Sequence, residues 1–412
     1  MQTTETSSEV DSGYSWYRLL ISIALATVGG VGIWSSIVFL PSIEAEFNTD
    51  RGWASVPYLA NMIGFAVGAL IMGRMADRFG IMIPLMISAV SMLVGYTLIS
   101  YSSSFWGYVV LQVVFVGMIG TSTTFGPLVA DISHWFVKRR GIAIAICASG
   151  NYLAGAVWTP FIQVLIDTYD WRQAHLIVGL VCVVTMIPLA WLVRRRADMG
   201  TAPNAVSASR FAGKLPISNR VLFMLLAIAG LACCTAMAMP QVHIIAYCID
   251  LGYGEFPGGQ MLSIMLVTGV ISRMLSGFIA DYIGGIGTLI LGSALQCLAL
   301  LLYIPFNGLA SLYLVSALFG LSQGGIVPSY ALIVRDYFPS REAGWRVSTV
   351  LMATVLGMAL GGWLSGEIYD WTGSYTAAFL HGIAWNLLNL AIAGFLLFGK
   401  WWGAKQEAVA AA

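Results

Sequence analysis

Arg273 is the one lysine or arginine that lies well inside an apolar run of this sequence. A cation in hydrocarbon is costly, so the side chain is expected to face a cavity or a partner. The chemistry open to a guanidinium there is bidentate recognition of a carboxylate, a geometry that favours Arg over Lys. Two other readings stand beside it: the side chain snorkels to the membrane edge, or it pairs with a carboxylate near a helix end, such as Asp131 or Glu367. A single cation also sets the charge of the ligand. A dicarboxylate would need two neutralising groups, and the apolar stretch from Ser348 to Glu367 carries none, so a monoanion fits the count.

Other side chains suit the lining of a polar cavity with aromatic walls: Tyr58, Asn61, Phe125, Asn151, Tyr152 and Gln323. Each is equally suited to a hydrogen bond between packed helices. His243 joins them as a group that could titrate, as could His381 and His134, although a lone histidine on an apolar helix is more often structural. No Asp or Glu lies in the middle of an apolar run, so no intramembrane proton relay is evident. No catalytic triad, zinc spacing or nucleotide fingerprint is present, and the glycine clusters are not followed by the Lys-Ser/Thr of a phosphate loop. Neither a catalytic residue, a metal ligand nor a cofactor is expected.

The elements that must position these residues follow from composition. Only 9% of the 412 residues are charged and 58% are hydrophobic, against about 25% charged in soluble domains. That excludes an ordinary soluble enzyme, a disordered chain and a nucleic-acid binder. A bilayer span needs about 20 apolar residues. Twelve runs meet that length, near 17–41, 53–75, 81–101, 104–132, 141–166, 173–194, 221–247, 258–280, 284–305, 309–334, 345–369 and 375–399. The expected fold is an all-α membrane protein of twelve transmembrane helices in two pseudo-symmetric six-helix bundles. The bundles occupy 17–194 and 221–399, with a tail at 1–16, a linker at 195–220 and a tail at 400–412. The acidic start lacks the basic region and cleavage site of a signal peptide, so the first span is expected to remain. The six cysteines lie in or beside apolar runs and read as small apolar residues.

Charge placement orients the chain. Arg51 and Arg172 fall on one side, and seventeen of the twenty Lys/Arg on the other, including Lys138–Arg140. The positive-inside rule puts both termini and the linker in the cytoplasm, with the protein integral to the cytoplasmic (inner or plasma) membrane. The halves also repeat. Gly73-Arg-Met-Ala-Asp77-Arg78-Phe-Gly80 matches Gly277-Phe-Ile-Ala-Asp281-Tyr-Ile-Gly284, and Tyr169-Asp-Trp171 matches Tyr369-Asp-Trp371. Gly117, Pro127 and Phe136 match Gly320, Pro328 and Phe338. A two-fold repeat of six spans is a transporter architecture. In it, Gly73 and Gly277 would allow close helix approach, and Asp77–Arg78 and Asp281 would hold helix ends together in one state and release them in another. Tyr282 replaces the arginine in the second copy, which weakens that gate.

The stretch from Gly73 to Gly80 resembles the loop motif of the major facilitator superfamily, and the second copy resembles its weaker repeat. Asp11-Ser-Gly-Tyr-Ser-Trp16, and Trp135-Phe-Val-Lys-Arg-Arg-Gly141 with Ala143, Ala145, Ser149-Gly150 and Gly155, resemble two motifs of the monocarboxylate porter branch, which the oxalate–formate antiporter-like proteins share. The resemblance implies a secondary transporter working by alternating access on a small organic anion, most simply a monocarboxylate, bound by Arg273. It places an arginine on this helix and, in animal members, an aspartate one turn before it, where this chain has Gly269. Proton symport is therefore not expected to follow the family pattern. The alternatives are a larger neutral or aromatic metabolite, or anion exchange without protons. The expected partners are the small organic anion, membrane lipid, and a coupling proton or counter-anion, with the chain a monomer.

Overall fold

The computed structural model describes residues 10–137, 139–196 and 217–411. The linker expected at 195–220, the outer part of the N-terminal tail and Lys138 fall wholly or largely outside the described residues. Among the described residues every regular element is a helix.

The spans are α1 (Gly13–Val38), α2 (Arg51–Phe79), α3 (Met82–Ser100), α4 (Phe105–His134), α5 (Arg140–Thr168), α6 (Trp171–Leu192) and α7 (Asn219–Asp250). A single helical run, Glu255–Leu302, follows. Its 48 residues would reach about 72 Å at 1.5 Å per residue, over twice the thickness of a hydrocarbon core. It is not one rod, because Gly284 has φ 76° and ψ 171°, outside the helical region. The run therefore forms α8 (255–283) and α9 (285–302). The last three spans are α10 (Leu309–Tyr337), α11 (Gly344–Thr372) and α12 (Tyr375–Gly399). All twelve lie within four residues of the apolar runs.

Several spans are interrupted where the backbone chemistry requires it. In α1 the helix breaks at Gly30, and a further helix, Leu40–Phe47, with Pro41 in its first turn, follows Phe39. Along α4, Gln112–Thr121 is π-helical and Ser122–Thr124 is a 3-10 turn. Phe125 then leaves helical geometry before Gly126–His134, where Pro127 starts a new turn. In α10 the helix stops at Gln323 and restarts at Ile326. Irregular backbone at membrane depth is tolerated where protein surrounds it or a cavity is lined.

The chain forms two compact units: residues 1–202 with 248–267, and residues 203–247 with 268–412. In the first, α3 packs on α6, α2 on the π-helical part of α4, and α1 on α5. Glycines make these contacts close. A Cβ on Gly68 would overlap the backbone of Met118. In the second unit the same device joins α7 to α11, where Cβ atoms on Gly357 and Gly361 would overlap the carbonyl oxygens of Leu231 and Thr235. Large apolar side chains such as Val67, Leu70, Val90 and Leu98 face outward, as expected where the solvent is lipid.

Candidate functional site

In the second unit, Arg273 sits on α8 and is 8% exposed. Its Nε donates to the Gly324 carbonyl of α10 at 3.4 Å. A Cβ on Gly324 would overlap the Gly269 carbonyl oxygen and lie 2.5 Å from the Arg273 backbone nitrogen, so the helices touch backbone to backbone there. One residue earlier, Gln323 accepts from Gln241 Nε2 of α7 at 2.5 Å. Gln241 and Arg273 thus meet adjoining residues of α10. Gln241 is not among the expected site residues; its place on an apolar helix, between Pro240 and Val242, is the signal that could have found it. The two carboxylates considered as partners for Arg273 have contacts of their own. Asp131 pairs with Arg18, and Glu367 accepts from Trp363 Nε1 at 3.1 Å.

His243 on α7 is fully buried. Its Nε2 meets the Gly362 carbonyl at 2.6 Å and its Nδ1 the Tyr375 hydroxyl at 3.3 Å. One tautomer satisfies both contacts: Nε2–H donates to the carbonyl, and Nδ1 accepts from the hydroxyl.

The first unit brings a different set together. Asn61 on α2 donates to the Gly32 carbonyl at 2.7 Å, beside the break in α1, and lies 3.4 Å from Ser36 Oγ. Gln112 on α4 donates to the same Ser36 Oγ at 2.6 Å. Tyr58 is buried one turn before Asn61. Phe125, at the break in α4, packs against Phe65 with ring centroids 6.4 Å apart. Asn151 accepts from Trp34 Nε1 through its backbone carbonyl at 2.8 Å, and Tyr152 beside it is buried. These contacts lie within the packed helices α1, α2, α4 and α5.

The residues expected to gate are at helix ends. Asp77, Arg78 and Asp281 are exposed, and among the described residues none of them makes an ion pair. A Cβ added to Gly73 or Gly277 would meet open space. The motif's final glycines carry the clearest geometry. Gly80 has φ 81° and Gly284 has φ 76°. Both copies end in a positive-φ turn that favours glycine.

One expectation needs correction. Arg273 is not alone as a buried cation. Arg18, at the very start of the first apolar run and counted among the seventeen topology-marking cations, is inside α1 and 1% exposed. It forms a bidentate pair with Asp131, Nε to Oδ2 at 2.9 Å and Nη2 to Oδ1 at 3.0 Å. Tyr14, Trp16, Trp135 and Phe136 gather around this pair. The Arg18 guanidinium is 4.5 Å from the Trp135 ring centroid, and the Trp16 and Phe136 ring centroids are 5.1 Å apart. Asp11 accepts from the Val137 N–H at 3.3 Å. The two short motifs therefore meet, Asp11, Tyr14 and Trp16 of the first packing against Trp135, Phe136 and Val137 of the second. Arg51, expected as a topology marker, is 8% exposed and bridges Glu44 at 3.2 Å and Asp250 at 2.5 Å. Nearby, Gln163 donates to Glu255 at 2.8 Å and Asp167 at 3.1 Å. Arg172 holds Glu46 at 2.6 Å, and its hydrogen bond keeps that carboxyl below its usual range.

A chain with a two-fold sequence repeat, twelve helical spans among its described residues and arginines buried among packed helices belongs to the class of polytopic membrane transporters. The sequence profile of the Major Facilitator Superfamily matches residues 22–344, and the chain belongs to that superfamily. It is 26% identical over 376 residues to a protein named Monocarboxylate transporter 13 from Bos taurus, covering 90% of this chain and 86% of the bovine one. It is 25% identical over 406 residues to MFS-type transporter opdF of Penicillium oxalicum, covering 95% and 93%. Among solved structures, it resembles a bacterial homolog of the human lysosomal transporter Spinster, in an inward-facing and occupied conformation. The TM-score is 0.67 at 15% identity, covering 94% of this chain and 97% of that one. The chain is a membrane transporter and not an enzyme.

Proposed function

We propose that this transporter moves a small organic anion, a monocarboxylate, across the cytoplasmic membrane by alternating access between the bundles 17–194 and 221–399. Arg273 neutralises the carboxylate. The observation that carries the reading is a buried guanidinium on α8 whose Nε is held by a backbone carbonyl, in a chain similar to proteins named monocarboxylate transporters. A guanidinium oriented through Nε has its Nη edge in a set direction, and that planar edge matches a carboxylate. Arg273 is the one cation well inside an apolar run of this half, which suits one carboxylate. Gln323 adjoins Gly324 in the same unit and supplies a polar group beside Arg273; Asn61, Asn151, Tyr58, Tyr152 and Phe125 supply polar and aromatic groups in the first unit, and His243 a buried imidazole in the second. The gating residues Gly73, Asp77, Arg78, Gly277 and Asp281 serve the ends of the helices, with both termini cytoplasmic. No Asp or Glu falls in the middle of an apolar run, so anion exchange without protons accounts for the sequence better than proton symport.

The reading is tested with purified protein. A thermal-shift series over monocarboxylates, dicarboxylates and neutral aromatic compounds is expected to give its largest shifts with monocarboxylates. Proteoliposome uptake of the best ligand is expected to be stimulated by internal anion and not by an imposed pH gradient. Shifts confined to neutral compounds would reject the anion assignment, and a pH-driven overshoot would reject exchange.

A further inference from the structure

We infer that Pro328 and Gly324 are positioning residues for Arg273, an inference that rests on Arg273 being the carboxylate-binding group. In an unbroken helix the N–H of residue 328 would donate to the carbonyl of residue 324. Proline has no N–H to give. Pro328 therefore withholds from the Gly324 carbonyl its ordinary donor, in the middle of α10. Arg273 Nε donates to that carbonyl. The guanidinium is planar, so fixing Nε fixes the plane and the direction of the Nη edge that meets a carboxylate.

Gly324 contributes a second element. A Cβ there would overlap the Gly269 carbonyl oxygen and meet Ser272 Cβ at 2.8 Å. On Gly325 it would overlap Ser276 Cβ. Gly269, Ser272, Arg273 and Ser276 share one face of α8, spaced by three, four and seven residues. The glycine pair lets this face reach α10, so the carbonyl comes within range of Arg273. On the α7 side, the Gln241–Gln323 bond holds the same step of α10. The first half of the chain provides an internal control. Pro127 occupies the matching place in α4, but the residue 204 positions before Arg273 is Ala69. The proline break is common to both halves, and the arginine that takes up the released carbonyl belongs to the second half.

The decisive variant is Pro328→Ala, which returns an N–H to α10 and favours helix. It is expected to compete with Arg273 for the Gly324 carbonyl. The probes are pyruvate and benzoate, with uptake measured in proteoliposomes and stability by thermal melting. The expected result is a KM raised about tenfold with Vmax within about twofold, and a melting temperature unchanged or higher. Pro328→Ser restores the same N–H and is expected to act alike. Pro127→Ala is expected to leave KM unchanged. A merely structural proline would move stability and Vmax, or would give the same result at both positions. Arg273→Gln separates the two claims. If wild type responds to neither probe, or Arg273→Gln retains wild-type KM, the carboxylate reading falls and this inference with it. If Arg273→Gln loses uptake while both Pro328 variants keep the wild-type KM, the positioning inference alone is overturned.

Discussion

At the scale of the residue, Arg18, Arg51 and Arg273 are buried arginines whose contacts differ. Arg18 holds one carboxylate, Arg51 holds two, and the Arg273 Nε donates to a backbone carbonyl. A carboxylate neutralises the cation it holds, so the Arg18–Asp131 pair is a structural one. Asp131→Ala should leave a buried cation uncompensated and destabilise by about 3 kcal/mol or more. Melting of the purified variant checks this, and an unchanged melting temperature would refute it. Arg273 was legible in the sequence because a cation in an apolar run is rare. Arg18 was not, since a basic residue at the start of a span reads first as a topology signal. Its burial depends on Asp131, 113 positions away, and on Trp135 covering the guanidinium. No local pattern carries that information.

At the scale of the element, helix ends and helix breaks do the positioning. The twelve spans were legible because hydrophobic length alone defines them. The breaks in α1, α4 and α10 were not, although Gly30, Phe125 with Pro127, and Gly324 with Pro328 mark them in hindsight. Proline tells where a hydrogen bond is lost but not which group replaces the donor. The matching glycines Gly80 and Gly284 give a sharper forecast. Alanine at either must adopt positive φ, at a cost of about 1–3 kcal/mol. Gly80→Ala and Gly284→Ala should each lower the melting temperature by a similar amount, while Gly73→Ala, with open space around it, should not. Equal melting of all three would show that the turn is not what the motif's last glycine provides.

At the scale of the whole molecule, scarcity of charge identifies lipid as the solvent, and the repeat identifies the transporter class. The compact units cut the chain differently from the sequence halves in one respect: residues 248–267 belong with the first unit. Arg51–Asp250 and Gln163–Glu255 are polar contacts that tie this segment there. Neither was visible in a sequence where Arg51 and Asp250 lie 199 positions apart. The pair is partly exposed, so its value falls between that of a surface pair and a buried one, about 1–3 kcal/mol. Arg51→Gln should lower stability by that amount. A double-mutant cycle of Arg51→Gln with Asp250→Asn should show coupling between the two positions, and strict additivity would count against direct pairing.

The central claim is that Arg273 neutralises the carboxylate of a transported monoanion. The most direct measurement is proteoliposome uptake of pyruvate and benzoate by wild type, Arg273→Lys and Arg273→Gln, with thermal melting to confirm that the variants are folded. The account predicts uptake by wild type, strong loss in Arg273→Gln and incomplete function in Arg273→Lys, because an ammonium keeps the charge but not the planar fork. Wild-type uptake of either anion by a folded Arg273→Gln protein would contradict it.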